Sequence, residues 1–122
     1  MLFIAALLLL SIGAVHSYLG ERYILIRLFK IELPRLFGSD AFTKQVLRFA
    51  WHLTTVAWFG FAAILITLAL ERPDFILLLL YITSVVFFVS GVMSFGYTKG
   101  KHYSYIVFWF VAGICACVAS GS

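Results

Sequence analysis

The chain has 122 residues, 64% hydrophobic and 11% charged, with a mean hydropathy of +1.09 and a formal net charge of +4. A soluble domain is about 25% charged, and a domain this short buries only about two-thirds of its surface on folding. That excludes a soluble enzyme, a disordered segment and a secreted disulfide scaffold, and leaves a single-domain integral membrane protein.

Four stretches approach the length of about 20 residues that a bilayer requires. They cover residues 2–19, 47–70, 75–97 and 103–119, and none has Asp, Glu, Lys or Arg near its middle. Backbone groups in lipid must bond internally, so all four are expected to be helices. No alternating strand pattern of a transmembrane barrel is present. The expected fold is all-α: an integral membrane four-helix bundle with an amphipathic interfacial segment between helices one and two.

That segment covers about residues 21–45. Tyr23 to Ile26, Leu28 and Phe29 are apolar, with Arg27 and Lys30 interspersed. It reads as a helix lying in the interface, or as a bent continuation of helix one. Pro34 disfavours helix at Leu33, and Ser39 or Asp40 is the expected N-cap of helix two. Glu71-Arg72-Pro73-Asp74 is a tight turn, with Pro73 suited to a helix first turn and Asp74 to its positive dipole end. Thr98 to His102, with Gly100, links helices three and four. Short links make helices two to four run up, down and up beside one another.

Lys and Arg orient the bundle. Arg22, Arg27, Lys30, Arg35, Lys44 and Arg48 lie in or beside the first connection, and Lys99 and Lys101 in the third; Arg72 alone lies in the second. The positive-inside rule puts the eight in the cytoplasm and both termini outside. A cleaved signal peptide over residues 1–17 is the alternative, but it lacks a basic n-region. The basic connection suits anionic lipid headgroups better than nucleic acid.

His16, His52 and His102 all fall near the end of the bundle that this basic charge marks, with Glu21 at the same level. Arg48 is one turn from His52. Imidazoles are common metal ligands, so His16, Glu21, His52 and His102 form a candidate donor set for a metal ion. Two facing histidines would instead suit a haem iron. Arg48 would orient Glu21 or hold an anionic group. The plainer reading has His16 and His52 bonded to each other, Ser17 or Thr55 as inter-helix glue, and Glu21–Arg48 as a structural ion pair.

Cys115 and Cys117 are about 200° apart on a helix and cannot pair there. Gly113, Cys117 and Gly121 recur every four residues, a small-residue face suited to a partner helix or to a second copy. No P-loop, Rossmann turn or Ser/His/Asp triad marks an enzyme.

The strings AVHSYLGERYIL, LRFAWHLTTVAWFGFAA and GKHYSYIVF carry the patterns H-S-x-x-G-E, R-x-x-W-H and G-x-H. In these the chain resembles a group of small uncharacterised bacterial four-span membrane proteins. The resemblance covers most of the chain. It implies a bacterial inner membrane, brings no activity with it, and carries over His16, Glu21, Arg48, His52 and His102. Three functional expectations follow: a metal- or haem-binding membrane protein, an accessory or scaffold subunit of a larger complex, and a small-solute or proton-coupled carrier.

Overall fold

A computed structural model describes residues 1–121. It contains four long helices: α1 Leu2–Leu28, α2 Ala41–Ala69, α3 Phe75–Thr98 and α4 Ser104–Gly121, each long and apolar enough to cross a membrane. No strand occurs among the described residues; Leu36 and Ser39 form one isolated bridge. The chain is an all-α four-helix bundle of a polytopic membrane protein.

Two boundaries differ from expectation. The first helix does not stop at Leu19; it continues through a π-helical segment, Gly20–Leu25, to Leu28. There the Ile26 amide bonds the Glu21 carbonyl five residues back. The continuation of helix one thus holds as far as Leu28, and the non-helical connection shrinks to 29–40. The second helix starts at Ala41, before the apolar run at 47 and with Asp40 at the N-cap position the sequence offered. A hydropathy criterion sees only the lipid-immersed part, while the Asp40–Lys44 pair at 2.9 Å supports a first turn outside it.

Asp40 holds the N-cap position of α2 without a side-chain capping bond. Its Oδ2 instead accepts the Leu33 amide at 3.2 Å. The Lys44 bond and this amide hold its carboxyl below the usual carboxylate range. Asp74 is likewise the N-cap of α3, and its carboxylate pairs with Arg72 at 2.9 and 3.0 Å. The α3–α4 turn needs left-handed backbone at Lys99 (φ 52°) and Gly100 (φ 76°), conformations that glycine adopts freely.

The helices pack in chain order: α1 on α2, α2 on α3, and α3 on α4. Among the described residues no close backbone approach joins α1 to α3 or α4. At the basic end, Phe49 of α2 also meets Phe108 of α4 at 6.4 Å between ring centroids. The backbones thus form an open row, with α1 and α4 as its outer members.

Small residues make the seams. The buried apolar residues include Ala6, Ala62, Ala112 and Ala119, and the largest fully buried side chains are Ser90 and Ser94. Leu7, Leu8, Ile76 and Phe110 are all more than 60% exposed. In lipid nothing drives such side chains inward, and close backbone approach gives the packing. Four glycines serve as seats for a side chain of the next helix: Gly13 for Phe59, Gly20 for Trp51, Gly60 for Val86 and Gly91 for Trp109.

Candidate functional site

The polar residues of α1 and α2 face each other in two stripes. Gly13, Ser17 and Glu21 recur every four residues on α1; Arg48, His52 and Thr55 lie at i, i+4 and i+7 on α2. Helical spacing of this kind puts each set on one face. Because the helices run in opposite directions, Glu21 meets Arg48 and His52, while Gly13 meets Thr55.

The bonds form one continuous chain. Arg48 grips the Glu21 carboxylate with two donors, Nη2 to Oε1 at 2.8 Å and Nε to Oε2 at 3.2 Å. Its guanidinium also lies 4.9 Å from the Phe29 ring centroid. His52 Nε2 donates to Glu21 Oε2 at 3.0 Å. His52 Nδ1 lies 2.9 Å from Ser17 Oγ, which lies 2.6 Å from Thr55 Oγ1. Thr55 Oγ1 in turn reaches the Gly13 carbonyl at 3.2 Å.

Counting protons along this chain gives two internal arrangements. An ionised carboxylate only accepts, so His52 Nε2 carries a hydrogen. With neutral His52, Nδ1 accepts the Ser17 proton, and Thr55 donates to Ser17. With imidazolium, Nδ1 donates to Ser17, Ser17 to Thr55, and Thr55 to the Gly13 carbonyl. The protonation state of one ring therefore sets the direction of two hydroxyls.

His16 and His102 stand apart. His16 Nε2 donates to the Trp51 carbonyl at 3.2 Å, and Trp51 Nε1 donates back to the His16 carbonyl at 3.0 Å. The two rings stack at 4.6 Å with an interplanar angle of 2°. His102 belongs to the α3–α4 turn. Its Nδ1 lies 2.8 Å from Ser104 Oγ, and its amide donates to Thr98 Oγ1 at 3.2 Å. Ser94 Oγ joins Ser104 Oγ at 2.7 Å. The His102 ring lies near Phe42 and Phe49, at 6.4 and 5.9 Å.

Of the five expected site residues, the structure brings together Glu21, Arg48 and His52. It does not bring His16 and His102 to them. Among the described residues no group of three or more His, Cys, Asp or Glu is placed to hold a metal ion. Glu21 and His52 supply two donors, and the oxygens and ring nitrogens they would use are already bonded within the chain. Ser17 and Thr55, expected only as glue, are links of the chain itself.

Trp51 was not legible as a key residue, since interfacial tryptophan reads as an aromatic belt; Trp109, deeper in its span, reads from the sequence as packing, and it packs against Gly91. Each lies over a glycine of the neighbouring helix and donates its indole N–H to a carbonyl there, Trp51 to His16 and Trp109 to Phe88. The one available signal was that Trp51 precedes His52, on a polar stripe that must face protein.

An apolar groove lies at the α2–α3 seam, about 420 Å³ in volume, bordered by Val56, Phe59, Gly60, Tyr81 and Val86. None of the site residues lines it.

Fold and site together define a polytopic α-helical membrane protein whose first two helices are clasped by an ion pair and a hydrogen-bonded chain. Comparison with protein-family models, with curated proteins and with solved structures finds no significant match.

Proposed function

We propose that the protein is a small membrane-embedded subunit that assembles inside the bilayer through the outer face of α4, against α4 of a second copy. One observation carries this reading. Around Gly113 and Gly121 nothing lies within 4 Å of where a Cβ would sit, and Cys117 between them is exposed. Gly13, Gly20, Gly60 and Gly91 are by contrast each filled from the adjacent helix. A four-residue spacing of small residues is self-complementary, because two such helices can approach along the same face. Helix α4 also ends the row: among the described residues its backbone packs only on α3.

The metal or haem reading has weaker support, since Glu21 and His52 provide two engaged donors. A carrier would be favoured by a polar residue at mid-membrane, and the spans offer no charged one. We place the basic end in the cytoplasm of a bacterial inner membrane; the clustering of eight of nine Lys and Arg residues and the motif resemblance support that setting.

The test uses the native thiol. In membranes carrying Cys115→Ser, oxidation is expected to link two chains through Cys117. Gly113→Leu, whose new Cβ meets nothing within 4 Å, is expected to abolish the link while the monomer stays folded. Absence of any Cys117 link, with the mass of one chain in nanodiscs, overturns the reading. So does a dimer indifferent to Gly113→Leu, or a Cys117 link to a different protein.

A further inference from the structure

The charge at the basic end is unevenly satisfied. Its three acidic residues are all paired: Glu21 with Arg48, Glu32 with Arg35, and Asp40 with Lys44. Eight basic residues against three acids leave an excess of five cations there. Arg22, Arg27, Lys30, Lys99 and Lys101 have no acidic partner among the described residues.

Two of the five meet on one ring. Tyr23 directly follows Arg22, and Arg27 is four residues beyond Tyr23, the spacing that puts two residues on one helix face. The guanidinium carbons of Arg22 and Arg27 lie 5.7 and 5.6 Å from the Tyr23 centroid. Arg22 Nη1 also donates to the Tyr18 hydroxyl at 3.1 Å. A guanidinium has five N–H donors, so most of the donors on this pair remain open. Immediately toward the apolar span, α1 exposes Val15, Tyr18 and Leu19.

From this arrangement we infer that Arg22, Arg27 and Tyr23 form a binding site for the headgroup phosphate of an anionic phospholipid. The guanidinia supply planar, charged donors to phosphate oxygens. Tyr23 fixes both at the interface, where amphipathic rings reside. The apolar flank of α1 then lies along the acyl chains. Phosphatidylglycerol has the required chemistry: one phosphodiester, a net negative charge and two acyl chains. The site is separate from the α4 face and stands or falls independently of assembly there.

The experiment measures the fraction of spin-labelled lipid immobilised by the reconstituted chain, comparing phosphatidylglycerol with phosphatidylcholine. Wild type is expected to prefer the anionic lipid by about fivefold or more, the scale of one cation near a charged surface. Arg22→Gln with Arg27→Gln is expected to bring that preference close to unity. Lys99→Gln with Lys101→Gln removes the same charge from the same end and is expected to retain most of the preference. Equal loss in both double variants means diffuse surface charge and overturns the site. So does inorganic phosphate abolishing the preference when chloride at equal ionic strength does not, because the occupant would then be the free ion. Circular dichroism accompanies each variant; the substituted residues are exposed and have no acidic partner, so the helices are expected to persist.

Discussion

Glu21 of α1 and His52 of α2 meet at 3.0 Å, the carboxylate Oε2 accepting from the ring Nε2. The same carboxylate holds Arg48 by both oxygens. One acidic side chain therefore fixes two residues of the facing helix, at the level where the spans reach the basic end. Its side chain is 31% exposed and that of Arg48 24%, so the pair is only partly withdrawn from water. Glu21→Gln is expected to lower bundle stability by about 1–2 kcal/mol, below the cost of orphaning a fully buried charge. A double-mutant cycle with Arg48→Gln, read by unfolding in mixed detergent micelles, should give a coupling of about 1 kcal/mol. Additive effects would mean that the two side chains do not act on each other.

The hydrogen-bond chain also makes a statement about tautomers. Neutral His52 must carry its hydrogen on Nε2, because the partner there is a carboxylate. Nitrogen NMR of the labelled ring is expected to show protonated Nε2 and bare Nδ1 in the neutral state. Ser17→Ala removes the hydroxyl bonded to Nδ1 and is expected to cost about 1 kcal/mol. It should leave the Glu21 bond in place. An Nδ1–H tautomer in the wild type would break the chain as described.

The four spans were readable because lipid-facing residues carry the hydropathy signal wherever they point. The Glu21–Arg48 pair and the Ser17 and Thr55 glue were readable too, from stripes spaced by one helical turn. Three features were not. The π segment inserts no residue pattern of its own; its first residue, Gly20, is covered by the Trp51 indole of α2. The placement of His16 involves that same indole, on which its ring stacks. The open row was hidden because the covered and the exposed faces of α3 and α4 are both mainly apolar, so periodicity could not say which faces are covered.

The glycine seats give a prediction by contrast. A Cβ on Gly20 would run into the Trp51 indole, whereas one on Gly96 would meet nothing within 4 Å. Gly20→Val is expected to destabilise by about 1–3 kcal/mol through overpacking, and Gly96→Val by much less. Trp51 fluorescence should shift in the first variant and not in the second. Equal effects at the two positions would show that backbone entropy, rather than the indole contact, governs both.

Asp40 supplies the pH dependence. Its bonds to Lys44 and to the Leu33 amide hold its carboxyl below the ordinary value of 3.8. A group whose folded value is depressed stabilises the structure above its unfolded value and loses that contribution as pH falls through the folded one. The 29–40 connection, which Asp40 ties to the start of α2, is therefore expected to loosen in acid below about pH 4 while the spans stay intact. The readout is exchange of the Leu33 amide hydrogen, corrected for intrinsic rates, as pH is lowered. Protection should decline with protonation of Asp40 in the wild type. In Asp40→Asn it should be weaker at neutral pH and flat across the range. A pH-dependent loss that persists in Asp40→Asn would assign the effect to another carboxylate, with Glu32, paired to Arg35 in the same connection, the first to substitute.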